Sequence, residues 1–503
     1  MSQSKERSQA LEHPEAANIA RAIELPRTLG LSGAVALNML DMIGVGPFIT
    51  LPLILAAMGG PQAMLGWVLG AVLAVCDGLV WAELGAAMPE AGGSYAFLRR
   101  IYSGADGTRR LGRFVAFLFI FQLMFSAPLS VASGCIGLGQ YASYLWPSLA
   151  THTTAHTLHL GWYSAGVSVG PATAVAIAAV LVAVTILYRG LAKLRAVTAT
   201  MWCVVMGLIA WILATGLLHG HLRQAFTFPA GAFALTPAFF LGLGSAMLIA
   251  TYDYWGYYNI TFLGGEVQDA RRTVPRAILI SIALVAALYM AMNISVLAVL
   301  PWQGLVGVSS ADSAAATGLA ARRAVISTFM EVAYGPHLGP ALGKLAAVLV
   351  MGTAFASVFS LLLGYSRIPY AAARDGNFFR VFGRLHRRGF PHRSLLLLGA
   401  VAVCFCFFSL ADVIAALVVL RILLQFLMQQ VGVMVLRQTQ PEMKRPFRAW
   451  LYPLPPLVAI AGFLFILIKR TNFQREILMA AVVIVLGSAV YALRERLTRN
   501  ATN

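Results

Sequence analysis

From residue 31 to near residue 494 the chain alternates long apolar runs with short polar connectors rich in arginine. About 20 apolar residues cross a bilayer as a helix. On that measure the pattern predicts twelve spans, at about 31–58, 62–87, 112–146, 165–188, 194–218, 235–262, 274–300, 340–372, 394–410, 412–436, 451–469 and 475–494. The third and eighth are overlong, which predicts tilt or a bend, and Pro128 offers one in the third. Residues 1–30 are polar and mixed in charge, without the short apolar core and small-residue cleavage site of a signal peptide. The first apolar run is therefore read as a retained span, and 1–30 as a cytoplasmic N-terminal segment.

Composition removes the soluble alternatives. Hydrophobic residues make up 59% of the 503 positions and charged residues 11%, whereas a soluble domain carries about 25% charged residues. A chain so poor in charge cannot cover a water-facing surface, so 31–494 is one transmembrane domain and 495–503 a cytoplasmic tail. The net charge of +18 invites a nucleic-acid partner. The basic residues, however, sit singly or in small groups in the connectors, which excludes one. Five cysteines all fall inside apolar runs and form no disulfide or zinc pattern.

Lys and Arg instead set the orientation. With an even number of spans, both termini and the connectors near 88–113, 189–195, 264–276, 367–393 and 437–448 share one side, which holds most of the 37 basic residues. The opposite connectors hold only Arg223, Arg322, Arg323, Lys344, Lys469, Arg470 and Arg475, and Arg421 is left inside the tenth span. Both termini are expected in the cytoplasm, with the protein in the plasma (inner) membrane. The 373–393 connector, with Arg374, Arg380, Arg384, Arg387 and Arg388, is expected to touch anionic lipid. On the outer side His152, His156 and His159 stand at helix-like spacing, and a solvated loop is preferred there to a metal site. There is no G-x-x-x-x-G-K-[ST] loop and no H-E-x-x-H, so neither ATP-driven transport nor an intramembrane metalloenzyme is expected, and no cofactor is implied.

Two spans contain weak points. The first reads Asp41-Met-Ile-Gly44-Val45-Gly46-Pro47-Phe48, where two glycines and a proline loosen the helix at middle depth and free carbonyls one turn earlier. Such a stretch can offer backbone groups to a polar solute; a packing notch between helices is the alternative. The sixth reads Ala250-Thr-Tyr252-Asp253-Tyr254-Trp255-Gly256-Tyr257, an acid among aromatics with a glycine at the same depth. A charge there costs about 2.5–3.5 kcal/mol on insertion scales and marks function more often than structure. The two breaks open the two halves of a ten-helix block, and paired interrupted spans point to a transporter's midplane site. A channel would instead show polar stripes along several spans, and a membrane transferase would gather acids or histidines at one face; neither pattern is present.

Four motifs in order over 31–393 resemble those of the amino acid–polyamine–organocation superfamily of permeases. They are Gly44-Val45-Gly46 with Phe48; Ala82-Glu83-Leu84 through Pro89, Gly92, Gly93 and Tyr95; Gly265-Glu266-Val267-x-Asp269 through Arg272, Pro275 and Arg276; and Arg367 through Arg374-Asp375-Gly376. The resemblance implies an all-α membrane protein of about 12 transmembrane helices, a five-plus-five inverted repeat (about 31–218 and 235–436) with broken helices 1 and 6, and two added helices at about 451–494. It implies alternating-access transport of an amino acid or related amine, and places Gly44, Val45, Gly46, Tyr252, Asp253 and Gly256 at the substrate site, to which the charge pattern adds Asp41 and Trp255.

Departures from the superfamily pattern sharpen the expectation. Val45 replaces a frequent Ser, Pro47 removes a carboxylate-facing amide, and the fifth span lacks the lysine of some proton-coupled members. A proton or a sodium ion is left open as the coupling ion, with Thr353, Ser357 and Ser360 of the eighth span as candidates to help hold sodium, though small polar residues more commonly line helix contacts. Asp41 and Asp253 are expected in one cavity walled by Tyr252, Tyr254 and Trp255. A cation relieves the repulsion of two such carboxylates, which favours a cationic amino acid or an amine; a neutral amino acid with one Asp as proton carrier is the alternative.

The orientation predicts that a tag at residue 155 reacts with an impermeant label from outside intact cells while one near 385 does not. The reversed pattern would sink the topology.

Overall fold

The computed structural model describes residues 27, 29–44, 46–90, 92–104, 109–152, 154–160, 163–189, 194–306, 324–469 and 473–500. Val45 and both chain ends lie outside the described residues. Among those described, nine helices are long and apolar enough to cross a membrane, and His392–Phe405 and Leu454–Ile468 are shorter apolar helices. With the interrupted helix Pro237–Tyr254 they account for all twelve expected spans.

The first span is three pieces: α1 (Leu31–Met42), α2 (Gly46–Ile49) and α3 (Leu51–Met58). α4 (Met64–Ala87) is the second span, α5 (Ser94–Tyr102) a connector helix, and α6 (Arg110–Leu145) the third span, helical through Pro128. The fourth span differs from expectation. Residues 154–160 and 163–169 form an antiparallel hairpin, β1 (Thr154–Leu160) and β2 (Tyr163–Val169), and α7 (Pro171–Tyr188) starts only after Gly170. The helix-like histidine spacing is thus not realised, because His156 and His159 lie in a strand. The β-branched Val167 and Val169 suit the ladder, and the hairpin gains further pairing from the connector after the ninth span, through Ser168 N to Phe407 O at 2.6 Å and Ser409 N to Gly166 O at 2.7 Å.

α8 (Leu194–His219) is the fifth span; α9 (Pro237–Tyr254) and α10 (Asn259–Phe262) are the two parts of the sixth; α11 (Ala270–Val299) is the seventh. The eighth is longer than expected. α12 (Val325–Tyr365) already runs as helix before a kink at Gly335, whose φ of 71° precedes Pro336, and α13 (Arg367–Arg374) follows it. α14 (His392–Phe405) is the ninth span. The tenth is α15 (Leu410–Arg421), a π-helical turn at Ile422–Phe426, and α16 (Leu427–Thr439). α17 (Leu454–Ile468) and α18 (Phe473–Asn500) complete the chain.

The superfamily-like motifs meet at the arginine-rich end. Glu266 takes Arg367 Nε at 2.5 Å, and both side chains are almost wholly buried. Glu83, at the end of α4, is gripped twice by Arg437 of α16, at 2.9 and 2.5 Å, and also accepts the Ala449 amide at 2.7 Å. Arg99 of α5 pairs with Asp375. Each pair joins segments far apart in sequence, so the motif charges hold this end of the bundle together. Breaking a buried pair leaves one charge stranded, at a cost of about 3–5 kcal/mol. Arg367→Ala is therefore expected to lower the unfolding temperature in detergent markedly, and Glu266→Gln with Arg367→Met to restore most of it. An unchanged melting curve for Arg367→Ala would show the pair to be idle.

Candidate functional site

The two weak spans break where the sequence expects, and three side chains hold the breaks. In the first span the helix stops at Met42 and resumes at Gly46. In the sixth it stops at Tyr254, passes Gly256 with φ 130°, and resumes at Asn259. Backbone freed in this way must find partners inside the protein, since lipid supplies none. Asn38 of α1 donates Nδ2 to Tyr257 O at 2.6 Å and accepts Ile260 N on Oδ1 at 3.1 Å. The Tyr289 hydroxyl of α11 lies 2.5 Å from Met42 O and 3.1 Å from Asp253 O, one atom touching both breaks. Tyr141 of α6 donates to Phe48 O at 2.7 Å.

Between the breaks lies a small, partly open cavity. Of the residues expected at the site, Asp41, Gly44, Gly46, Tyr252, Asp253, Trp255 and Gly256 line it, as does Ser357. Val45 lies outside the described residues. The glycines are there for space. A Cβ on Gly46 would collide with the Asp253 carboxylate, one on Gly256 would come within 2.8 Å of Asp41 backbone, and one on Gly44 would meet Ser357 Oγ at 2.7 Å.

The remaining expectations fare unevenly. Tyr254 does not wall the cavity: it is fully buried against Trp67 and Tyr289, on the far side of α9 from Tyr252. Two residues along a helix is about 200° of turn, so the alternate aromatics cannot share a face. Thr353 is not brought to the cavity and donates to Leu349 O of its own helix at 3.0 Å. Ser357 does reach the first break, 3.5 Å from Asp41 O. Ser360 is buried in α12 near them without lining the cavity.

The charges are the main finding. Asp41 is buried with neither carboxylate oxygen hydrogen-bonded. Asp253 accepts Thr50 Oγ1 at 2.5 Å on Oδ2 and leaves Oδ1 unpartnered. The same cavity holds Arg421, which ends α15. Its guanidinium donates to Tyr258 OH and Ser130 Oγ, both at 2.9 Å, and lies 5.1 Å from the Tyr365 ring centre and 5.7 Å from that of Trp255. Its Nε has no partner. The π-helical turn that follows it is a feature often found at functional sites. Arg421 was missed as a site residue although the signal was present, since a lone arginine inside an apolar span asks for a reason.

A sequence model described as amino acid permease matches residues 29–487. The chain is 28% identical over 482 residues to an uncharacterized transporter of Mycobacterium tuberculosis, covering 95% of this chain and 93% of that one. It is 26% identical over 451 residues to the serine/threonine exchanger SteT of Bacillus subtilis, covering 88% and 91%. It is also 26% identical over 479 residues to the human Asc-type amino acid transporter 1, covering 92% and 81%.

Gly46→Leu is expected to leave the protein inserted and monodisperse but to end solute uptake into proteoliposomes. Uptake at the parent rate would reduce the first break to a packing notch.

Proposed function

The chain belongs to the amino acid permease family, and from that membership we propose that it is a secondary transporter carrying a small neutral amino acid by alternating access around the two broken helices. The observation that supports this reading is the charge set of one cavity: Asp41 and Asp253 with unpartnered oxygens, and Arg421 with an unpartnered Nε.

Two carboxylates alone would ask for a cationic solute. Arg421 changes that balance, because a guanidinium stays charged under all relevant conditions. The cation that relieves Asp41 and Asp253 is then part of the protein, and the second positive charge of a basic amino acid or diamine would meet it at close range. A zwitterion suits the set better, its ammonium toward the open Asp253 and Asp41 oxygens and its carboxylate toward Arg421. Ser130, Gly134 and Ser357 in the lining leave room for a short side chain. A relative named for serine and threonine exchange is in keeping with such a solute.

Uptake into proteoliposomes of serine, lysine, a diamine and glutamate tests the proposal. Serine is expected to lead, and Arg421→Gln to lower serine uptake at least about tenfold, a loss of about 1.4 kcal/mol, while improving lysine relative to serine. Asp253→Asn is expected to lose uptake of each. Lysine or the diamine leading in the parent protein would restore the cationic reading, and glutamate leading would sink both.

A further inference from the structure

One buried acid takes no part in the solute cavity. Asp77 lies midway along α4, is fully buried, and is not among the residues lining that cavity. Its carboxylate accepts two hydrogen bonds, from the Tyr257 hydroxyl on Oδ2 and from Gln430 Nε2 on Oδ1. Both donors are neutral. The groups around it offer no cation among the described residues. Tyr257 and Tyr258 come from the break of the sixth span, Trp81 from the next turn of α4, Gln430 from α16, Ile278 and Ile282 of α11 close over Gly78, and Leu73 one turn before it faces Gly462 of α17. Cys76 is the neighbouring titratable group on its own helix. The other acid of α4, Glu83, has its arginines; Asp77 has none. An ionised carboxylate held only by neutral dipoles in the middle of a bilayer is poorly compensated. A neutral acid is readily accommodated. Gln430 Oε1 is unpartnered, and turning that amide over makes it the acceptor for an Asp77 hydroxyl, an orientation that coordinates alone leave open.

The partners of Asp77 are parts of the solute machinery. Tyr257 belongs to the non-helical stretch whose neighbours Trp255, Gly256 and Tyr258 line the cavity, and its carbonyl is held by Asn38 of α1. Gln430 lies in α16, just beyond the π-helical turn that follows Arg421. A change of charge at Asp77 therefore acts on both breaks and on the tenth span together. Two sites whose occupancies bias one mobile element are coupled reciprocally.

We propose that Asp77 is a proton-binding site that couples solute movement to a proton gradient. The carboxylate takes a proton from water on one side and is buried as the neutral acid in the state described here. It releases the proton to water on the other side when the sixth and tenth spans part from α4. This rests on the reading of the chain as a secondary transporter, and adds the driving ion to it.

Two measurements on the full-length protein test it. In proteoliposomes enclosing a pH-sensitive dye, serine uptake is expected to carry protons inward. Asp77→Asn is expected to abolish that acidification while counterflow of labelled for unlabelled serine continues. Acidification that survives in Asp77→Asn, or that is absent from the parent protein while serine uptake proceeds, overturns the proposal. If no amino acid is taken up at all, the transport reading fails, and infrared spectroscopy still decides the fate of Asp77. The purified parent protein near neutral pH is expected to show a neutral carboxylic-acid carbonyl band that Asp77→Asn removes and that Tyr257→Phe, which keeps the carboxyl, shifts. A spectrum unaltered by either substitution means that Asp77 carries no proton.

Discussion

Broken helices in lipid stand or fall on who takes the freed backbone groups. Each unpaired amide or carbonyl in a hydrocarbon medium costs several kcal/mol, so the interruptions after Met42 and at 255–258 exist only because neighbouring side chains serve them. Asn38 supplies donor and acceptor to the sixth span from the first. Tyr289 brings one hydroxyl to carbonyls of both breaks. The two breaks are thereby one structure, and the cavity between them exists because neither helix can close without losing these partners.

Charge follows a related division. At the arginine-rich end, Glu83, Glu266 and Asp375 all meet arginines, and these pairs join distant connectors. At middle depth the acids are left open: Asp41 and Asp253 have unpartnered oxygens, and Asp77 has only neutral donors. Paired charges hold the bundle's end, and the open ones lie in its interior. Arg421 belongs to the second class. It is fixed by two hydroxyls and two aromatic rings rather than by a carboxylate, which leaves its field available to the cavity.

Apolar run length, the scarcity of charge, and the Gly–Pro and Gly–aromatic weak points are local properties, and they determined the twelve spans and the places of the two interruptions. A run of 20 apolar residues has few other fates in water or lipid. A glycine beside a proline weakens a helix wherever it folds. Where local preference is weak, the sequence pattern failed: 165–169 reads as apolar enough to begin a helix, but its pairing with β1 and with 407–409 made it a strand. Only the tertiary structure decided which side chains share the cavity. Tyr252 and Tyr254 look equivalent in sequence and are separated by the helical turn, one toward the cavity and one into the core. Arg421 and Asp41 are 380 positions apart, and no local rule relates them. Their meeting, and with it the charge of the cavity, depends on how the tenth span packs against the first and sixth.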